Sequence, residues 1–311
     1  MIGNKVFITT VDTDTTVRDS ITETLRYFHM FRHPLYIDEL HKFLRVEISR
    51  NHLSRLLNNM VREERIFFSH NMYSLENSGQ IFLKRLVGAD VAAEKMKEAR
   101  RCARLIAGFP FVKSVCISGS LSKGYADEKS DIDFFIITSG KRLWISRTML
   151  HLFKKFTFLV GKEHSFCMNY FIDESELCLE EQNIFTATEL STLIPVYNSD
   201  IYSKLLNRNI TWMHKHFPNL RIQNDEVHVA GDRNMLKKSL EWSFNKLWPE
   251  HVNGFLMRLT DKLWRYKWER KNYPAEDYDI AMKTKWYVSK QHPLNYQKKV
   301  LEFNTSQFQL K

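Results

Sequence analysis

The sequence has no apolar run of the roughly 18 residues that a membrane-spanning helix requires. Its first residues, Met1 to Thr16, scatter Lys5, Asp12 and Asp14 among threonines and hold no apolar signal core, so a cytoplasmic location without a membrane partner is expected. Cysteine is scarce. The four present (Cys102, Cys116, Cys167, Cys178) form no CxxC pair and have no histidine at zinc spacing, which argues against a structural zinc or a disulfide framework. Internal repeats and low-complexity tracts are absent as well, and with them repeat architectures.

What is present is a chain of 311 residues, 43% of them apolar, enough to bury substantial cores and too long for one ordinary domain. The formal charge is +10. From Leu206 onward there are 19 Lys/Arg against 11 Asp/Glu, so most of the surplus lies in the last third. Such a surface favours an anionic partner, whether a nucleotide, a nucleic acid or a phosphorylated small molecule; a plain solvated basic face fits equally.

The first segment reads as three helices and a hairpin. Arg18 to Phe31 places Ile21, Leu25 and Phe28 on one face and stops before Pro34. Tyr36 to Leu44 is a second short helix. Ser49 caps a third, with Leu53, Leu56, Leu57 and Met60 at helical spacing. Ile66 to Phe68 and Met72 to Leu75 then flank Ser69-His70-Asn71 as a hairpin. This is the outline of a winged helix, over residues 1–88. Its third helix carries Arg50, Asn51, Ser54, Arg55, Asn58 and Arg62, a face suited to a DNA groove or simply to water.

A charged helix, Val91 to Ile106, leads into Gly108-Phe109-Pro110. Short runs rich in β-branched and aromatic residues follow, at Val112 to Ile117, Ile132 to Thr138 and Ser165 to Ile172, with a long helix, Lys141 to Val160, between the second and third. Strand, strand, helix, strand gives an α/β core with a short mixed sheet over residues 89–205. Residues 206–311 read as a mostly helical basic region, as in Met235 to Leu247 and Phe255 to Arg270. Its tryptophans (Trp242, Trp248, Trp264, Trp268, Trp286) are expected in the core rather than as a ligand-stacking platform. The fold class expected is therefore α+β and multi-domain.

The chemistry concentrates between Val115 and Ile137. An apolar strand runs into Gly119-Ser120, ten residues intervene, and Asp131-Ile132-Asp133 opens a second apolar strand. Residues i and i+2 of a strand share a face, so the two carboxylates project together while Ile132 turns inward. Neighbouring carboxylates repel, and burial makes ionising both costly; a hard divalent cation such as magnesium relieves this. Glycine lets the backbone approach a phosphate, and Ser120 adds an amide and a hydroxyl donor. Lys123 lies in the same loop, as a phosphate partner or as an exposed lysine. Two magnesium ions about 4 Å apart would activate an attacking oxygen and neutralise a leaving pyrophosphate. A Walker A reading of Gly119 to Gly124 fails, because Tyr125-Ala126 stands where Lys-Ser/Thr is needed, and GxGxxG is missing.

The pattern of apolar strand, Gly119-Ser120, spacer and Asp131-Ile132-Asp133 resembles the signature of the DNA polymerase β-like nucleotidyltransferase superfamily. More narrowly the chain is similar to bacterial and archaeal nucleotidyltransferase-domain proteins with an N-terminal winged helix. That likeness rests on Tyr27-Phe28 with Pro34-Leu35, Gly119-Ser120-Leu121, Ser130 to Phe134, Arg142-Leu143-Trp144, Asn169-Tyr170 and Thr186 to Leu190, spanning roughly the first two-thirds. The resemblance implies that residues 89–205 are a nucleotidyltransferase domain, that Gly119 and Ser120 bind the β- and γ-phosphates of a nucleoside triphosphate, and that Asp131 and Asp133 hold magnesium. Many members carry a third carboxylate on a neighbouring strand, often as a base for the acceptor. Here Asn169 stands at that position, and an amide takes no proton at neutral pH. Asp173 and Glu189 are substitutes to weigh, each also readable as an ordinary acid. Arg142 and Arg147 are read either as phosphate or acceptor anchors or as charged helix positions, and Trp144 and Tyr170 either as a base pocket or as core.

Two functions follow. One is a magnesium-dependent enzyme that moves a nucleoside monophosphate onto an acceptor (RNA, protein or a small molecule), releasing pyrophosphate. The other is a nucleotide-sensing, DNA-binding regulator whose transferase-like domain is inactive.

Overall fold

The computed structural model describes residues 10–158, 166–222, 235–247 and 250–306, and the chain divides into two units, Met1–Val87 with Thr211–Ile222 and Gly88–Ile210 with Gln223–Lys311. In the first unit lie α1 (Thr10–His29), β1 (Leu35–Tyr36), α2 (Ile37–Phe43), α3 (Arg50–Arg62), β2 (Phe67–Ser69) and β3 (Met72–Ser74). Helix α1 starts eight residues before the expected Arg18, because the threonine and aspartate run ahead of it has no apolar period to reveal a helix. Ser49 accepts a hydrogen bond from the His52 amide and so begins α3, whose Leu53, Leu56, Leu57 and Met60 are buried as their spacing requires. His70 and Asn71 both take positive φ (50° and 61°), the twist that a two-residue hairpin turn demands. The result is an antiparallel sheet in the order β1-β3-β2. Residues from the C-terminal third complete this unit. The Phe217 ring meets Phe43 at 5.3 Å, and Asn219 donates to the Val46 carbonyl (2.7 Å) while accepting from the Ile48 amide (3.0 Å).

The second unit is built on β4 (Val112–Ile117), β5 (Asp133–Thr138), β6 (Cys167–Asp173), β7 (Ile194–Tyr197), β8 (Thr284–Lys285) and β9 (Val288–Lys290). They form one mixed sheet in the order β7-β4-β5-β6-β9-β8, in which β5 and β6 run parallel and the other neighbours antiparallel. Its helices are α4 (Gly79–Ala107) from Gly88 onward, a single helical turn α5 (Gly119–Ser122), α6 (Leu143–Phe158), α7 (Ile184–Ser191), α8 (Ser199–His216) as far as Ile210, α9 (Met235–Leu247), α10 (Glu250–Glu269), α11 (Ala275–Ala281) and α12 (Tyr296–Ser306). Central strands are shielded on both faces, hence the unbroken apolar run Phe134 to Ile137, all buried. Ala103, Ile106, Val115, Ile117, Ile136, Trp144 and Phe171 form the main core, onto which Leu256 and Met257 pack. The predicted ends at Val160 and Ser165, and Trp248, lie outside the described residues.

Two expectations are corrected here. Val91 does not start a helix; α4 runs unbroken from Gly79 through Gly88. The tryptophans also divide: Trp264 is buried, but Trp242 (67% exposed) and Trp286 (43%) face outward. Helix α9 turns charged residues inward instead. The Lys237 ammonium, only 1% exposed, donates to the carbonyls of Ala107 (3.0 Å) and Val112 (2.7 Å), and the Glu241 carboxylate accepts from the Phe111 amide (2.7 Å). Carbonyls left over at the end of α4 and the start of β4 need donors, and a lysine supplies them better than an indole.

Candidate active site

Strand β4 delivers the chain to a tight turn. The Ser118 amide bonds the Asp133 carbonyl (3.0 Å), and the next residue, Gly119, adopts φ +68°, a left-handed conformation that favours glycine. A second reason excludes a side chain there: a Cβ on Gly119 would overlap the Asp133 carboxylate. The turn α5 follows, closed by the Lys123 and Tyr125 amides on the Ser120 carbonyl (3.0 and 3.1 Å). As the first amides of a helical turn, those of Gly119 and Ser120 have no partner within it. Ser120 is exposed.

The spacer is folded back by anchors on α4. The Ala126 amide bonds the Gly88 carbonyl (3.0 Å), and the Tyr125 ring fills the space a side chain at Gly88 would need, which explains a glycine inside a helix. Lys95 donates to the carbonyls of Ser130 (2.5 Å) and Glu128 (3.2 Å). The chain thus returns to Gly119 at Asp131.

Asp131 is exposed, Ile132 is buried and Asp133 is half-buried at the first position of β5, the alternation expected of an extended segment. Burial and then the charge of Asp131 push the Asp133 carboxyl up to about 6, while the Cys167 thiol pulls the other way. Two acids therefore face one another where the second resists ionisation.

Asn169 joins them through a bulge. Strand β6 pairs Met168 with Phe134 and Tyr170 with Phe135, leaving Asn169 as the extra residue. Its amide donates to Asp133 Oδ1 at 2.8 Å, and its Oδ1 accepts from the Cys167 Sγ at 3.3 Å. Burial and the charge of Asp133 push the Cys167 thiol up to about 11, so it stays a protonated donor.

Lys123 reaches back over the turn. Its Nζ donates to the Gly119 carbonyl (3.1 Å) and ion-pairs with Glu189 Oε1 on α7 (2.9 Å). All six residues singled out from the sequence (Gly119, Ser120, Lys123, Asp131, Asp133, Asn169) thus belong to one neighbourhood, and Glu189 joins it. The sequence offered Glu189 only as one of two substitute acids beside Asp173, since 66 residues separate it from Lys123.

Other candidates sit elsewhere. Asp173 is at the opposite end of β6 from Cys167, fully buried, accepting from the Lys141 amide (2.6 Å) and the Ser175 hydroxyl (2.5 Å). Arg147 is buried between Trp264 (4.6 Å) and Trp144 (5.3 Å), with Nε on the Ser289 hydroxyl (2.8 Å). Arg142 lies over Phe111, at the far end of β4. Trp144 is fully buried, and Tyr170 stacks on Phe135 at 4.7 Å.

Magnesium takes hard oxygen donors and tolerates few protein ligands, completing its shell with water and phosphate oxygens. The carboxylates of Asp131 and Asp133 suit that donor set, and the raised Asp133 carboxyl is the cost a cation would offset. Asn169 adds no free oxygen, because its Oδ1 already accepts from Cys167. Among the described residues no group of three or more His, Cys, Asp and Glu side chains is arranged to hold a metal ion.

Residues 97–183 match the family model of the nucleotidyltransferase domain. The matched stretch runs from within α4 to the loop before α7 and includes the Gly119 turn, both aspartates and Asn169. It supports transferase activity in general terms. Neither the curated proteins nor the solved structures give a match to the chain.

Proposed function

We propose that this chain, with a nucleotidyltransferase domain over residues 97–183, is a magnesium-dependent enzyme that moves a nucleoside monophosphate from a nucleoside triphosphate to an acceptor and releases pyrophosphate. The observation that carries this reading is the convergence of a left-handed Gly119 with Asp133, so close that glycine is required, while Asp131 lies near enough for its charge to act on Asp133. Amides of Gly119 and Ser120, with the Ser120 hydroxyl, take the β- and γ-phosphates, and Lys123 adds a cation beside them. Asp131 and Asp133 hold magnesium, and the Asn169 amide fixes the rotamer of Asp133. Bound magnesium supplies neutralisation of the charge that builds on the departing pyrophosphate. The acceptor is RNA, a protein or a small molecule.

Pyrophosphate release from each of the four nucleoside triphosphates, with magnesium and a panel of acceptors, tests this. Release by wild type that is lost in the Asp131→Ala/Asp133→Ala double variant supports it; equal rates in the two proteins refute it.

A second reading, a winged-helix regulator that binds DNA and senses nucleotide, is favoured by α3. Asn51, Arg55, Asn58, Asn59 and Arg62 are exposed there, and the helix contains no acid. Arg50, by contrast, is held by Asp38 through Nε (2.6 Å) and a second, longer bond (3.3 Å). DNA binding that weakens steeply with salt and falls in Arg55→Ala would support this reading; salt-insensitive or absent binding removes it.

A further inference from the structure

Helix α10 is apolar on two opposite sides. Leu256 and Met257 pack onto the main core, and Trp264 sits with Tyr278, Ala281 and Met282 in a second one. Phe255, Leu259, Leu263 and Tyr266 recur at i, i+4, i+8 and i+11, which sets them in one stripe on the side turned away from those residues. All four are between 42% and 60% exposed. A helix anchored through one side cannot turn the other inward. Just ahead of it in the chain, α9 leaves Leu240, Trp242 and Leu247 exposed as well.

Cations border the stripe. Arg258, Lys262, Lys267 and Arg270 are all exposed. Among the described residues none of these four lies within ion-pair distance of a carboxylate. Arg265, by contrast, pairs with Asp261 (3.0 Å) and Asp279 (3.1 Å). Asp261 is taken up by that arginine and by the Thr284 hydroxyl, while Glu269 at the helix end is exposed.

We propose that the outer face of α10 seats the protein on an anionic lipid surface. Leucines and aromatics at the centre of a stripe, with Lys and Arg along its edges, fit the boundary between headgroups and acyl chains. The apolar side chains enter the acyl region, the Tyr266 hydroxyl stays at headgroup level, and the long cationic side chains reach the lipid phosphates. Lying on a membrane needs no spanning segment, and no described helix is long and apolar enough to cross one. Two other occupants fit less well. A nucleic acid would meet the cations, but Leu259 and Leu263 give bases nothing to stack on. A second copy would cover the leucines, but it brings the same cations against these.

Flotation of the full chain, without nucleotide, tests this on vesicles of pure phosphatidylcholine and on vesicles in which about half of the lipid is phosphatidylglycerol. The outcome does not depend on the nucleotidyl-transfer reading. Wild type is expected to float with the anionic vesicles at least about tenfold more than with the neutral ones. Salt at about 1 M, where screening shortens to roughly 3 Å, should weaken that binding. Leu259→Glu/Leu263→Glu should abolish flotation and leave the melting temperature unchanged, since both side chains are exposed. Lys262→Glu, which keeps the apolar stripe intact, should weaken flotation about tenfold or more, because it changes two charges. No flotation, equal flotation on the two vesicle types, or a double variant that floats like wild type overturns the proposal. A dimer, or binding of RNA or an acidic peptide, that the double variant abolishes in a protein that does not float would assign the face to that partner instead.

Discussion

Gly119 and Asp133 share one space: a Cβ on the first would lie within the carboxylate of the second. The positive φ of Gly119 compounds the restriction. Gly119→Ala should therefore cost about 1–3 kcal/mol through left-handed strain and displacement of the acid. It should also weaken magnesium–nucleotide binding by more than tenfold in the protein that still folds. Thermal melts followed by circular dichroism, paired with nucleotide titration, separate the two effects. An alanine variant that binds like wild type would show that the turn can relax away from Asp133.

Asp133 makes affinity and stability respond to pH in opposite directions. Its carboxyl is raised to about 6 in the fold, first by burial and then by Asp131. An unfolded aspartate titrates near about 3.9. Below both values the acid is protonated in either state and costs nothing. As pH climbs from about 4 through 6 the unfolded chain releases its proton first, so stability falls across that window. Asp133→Asn should remove this loss and raise stability at pH 7.5 by roughly 1–2 kcal/mol. Magnesium needs the ionised form, so its affinity should rise between pH 5 and 7 with a midpoint near 6. Calorimetric titration with Mg2+ or Mn2+ over that range reads it directly; a pH-independent affinity contradicts it.

Asn169 stands where an aspartate would make a third acid. Asn169→Asp should lower the melting temperature without metal, since it replaces a hydrogen bond to Asp133 with like-charge repulsion. The same variant should gain more stability than wild type on adding Mn2+ or Mg2+, because three carboxylates bind a cation better than two. Melting curves with and without 10 mM metal, a range chosen as about saturating, check both signs.

Arg147 carries a charge into the interior, where burial lowers its guanidinium to about 9. Packed between Trp144 and Trp264 and bonded to Ser289, it joins α6 to α10 and β9. Arg147→Ala should destabilise the protein by about 2–4 kcal/mol through lost packing. Nucleotide affinity per folded molecule should stay within about twofold, since the contacts of Arg147 are with Trp144, Trp264 and Ser289 rather than with the Gly119 turn. Denaturant unfolding and a titration corrected for the folded fraction test the pair of outcomes.

How much of this was readable in advance depends on distance along the chain. Gly119, Asp131 and Asp133 stand out because strand alternation and a glycine turn are local properties, written within 15 residues. The hairpin at His70-Asn71 and the Ser49 cap are local in the same way. Glu189 reaches Lys123 only because α7 is placed over the turn, and no period or spacing encodes that. Phe217 and Asn219 complete the N-terminal unit from the other side of the sequence, again by tertiary contact alone. The inward Lys237 and outward Trp242 of α9 invert the usual hydrophobic rule. Lys237 donates to the carbonyls of Ala107 and Val112, a tertiary contact that a sequence does not display.

The central claim is that Asp131 and Asp133 bind a magnesium–nucleoside triphosphate against the Gly119 turn. Isothermal titration of wild type and of Asp131→Ala/Asp133→Ala with each triphosphate, in magnesium and again in excess chelator, tests it most directly. Saturable binding by wild type that needs magnesium and disappears in the double variant is the predicted result. Binding that survives both the chelator and the loss of the two acids would contradict it.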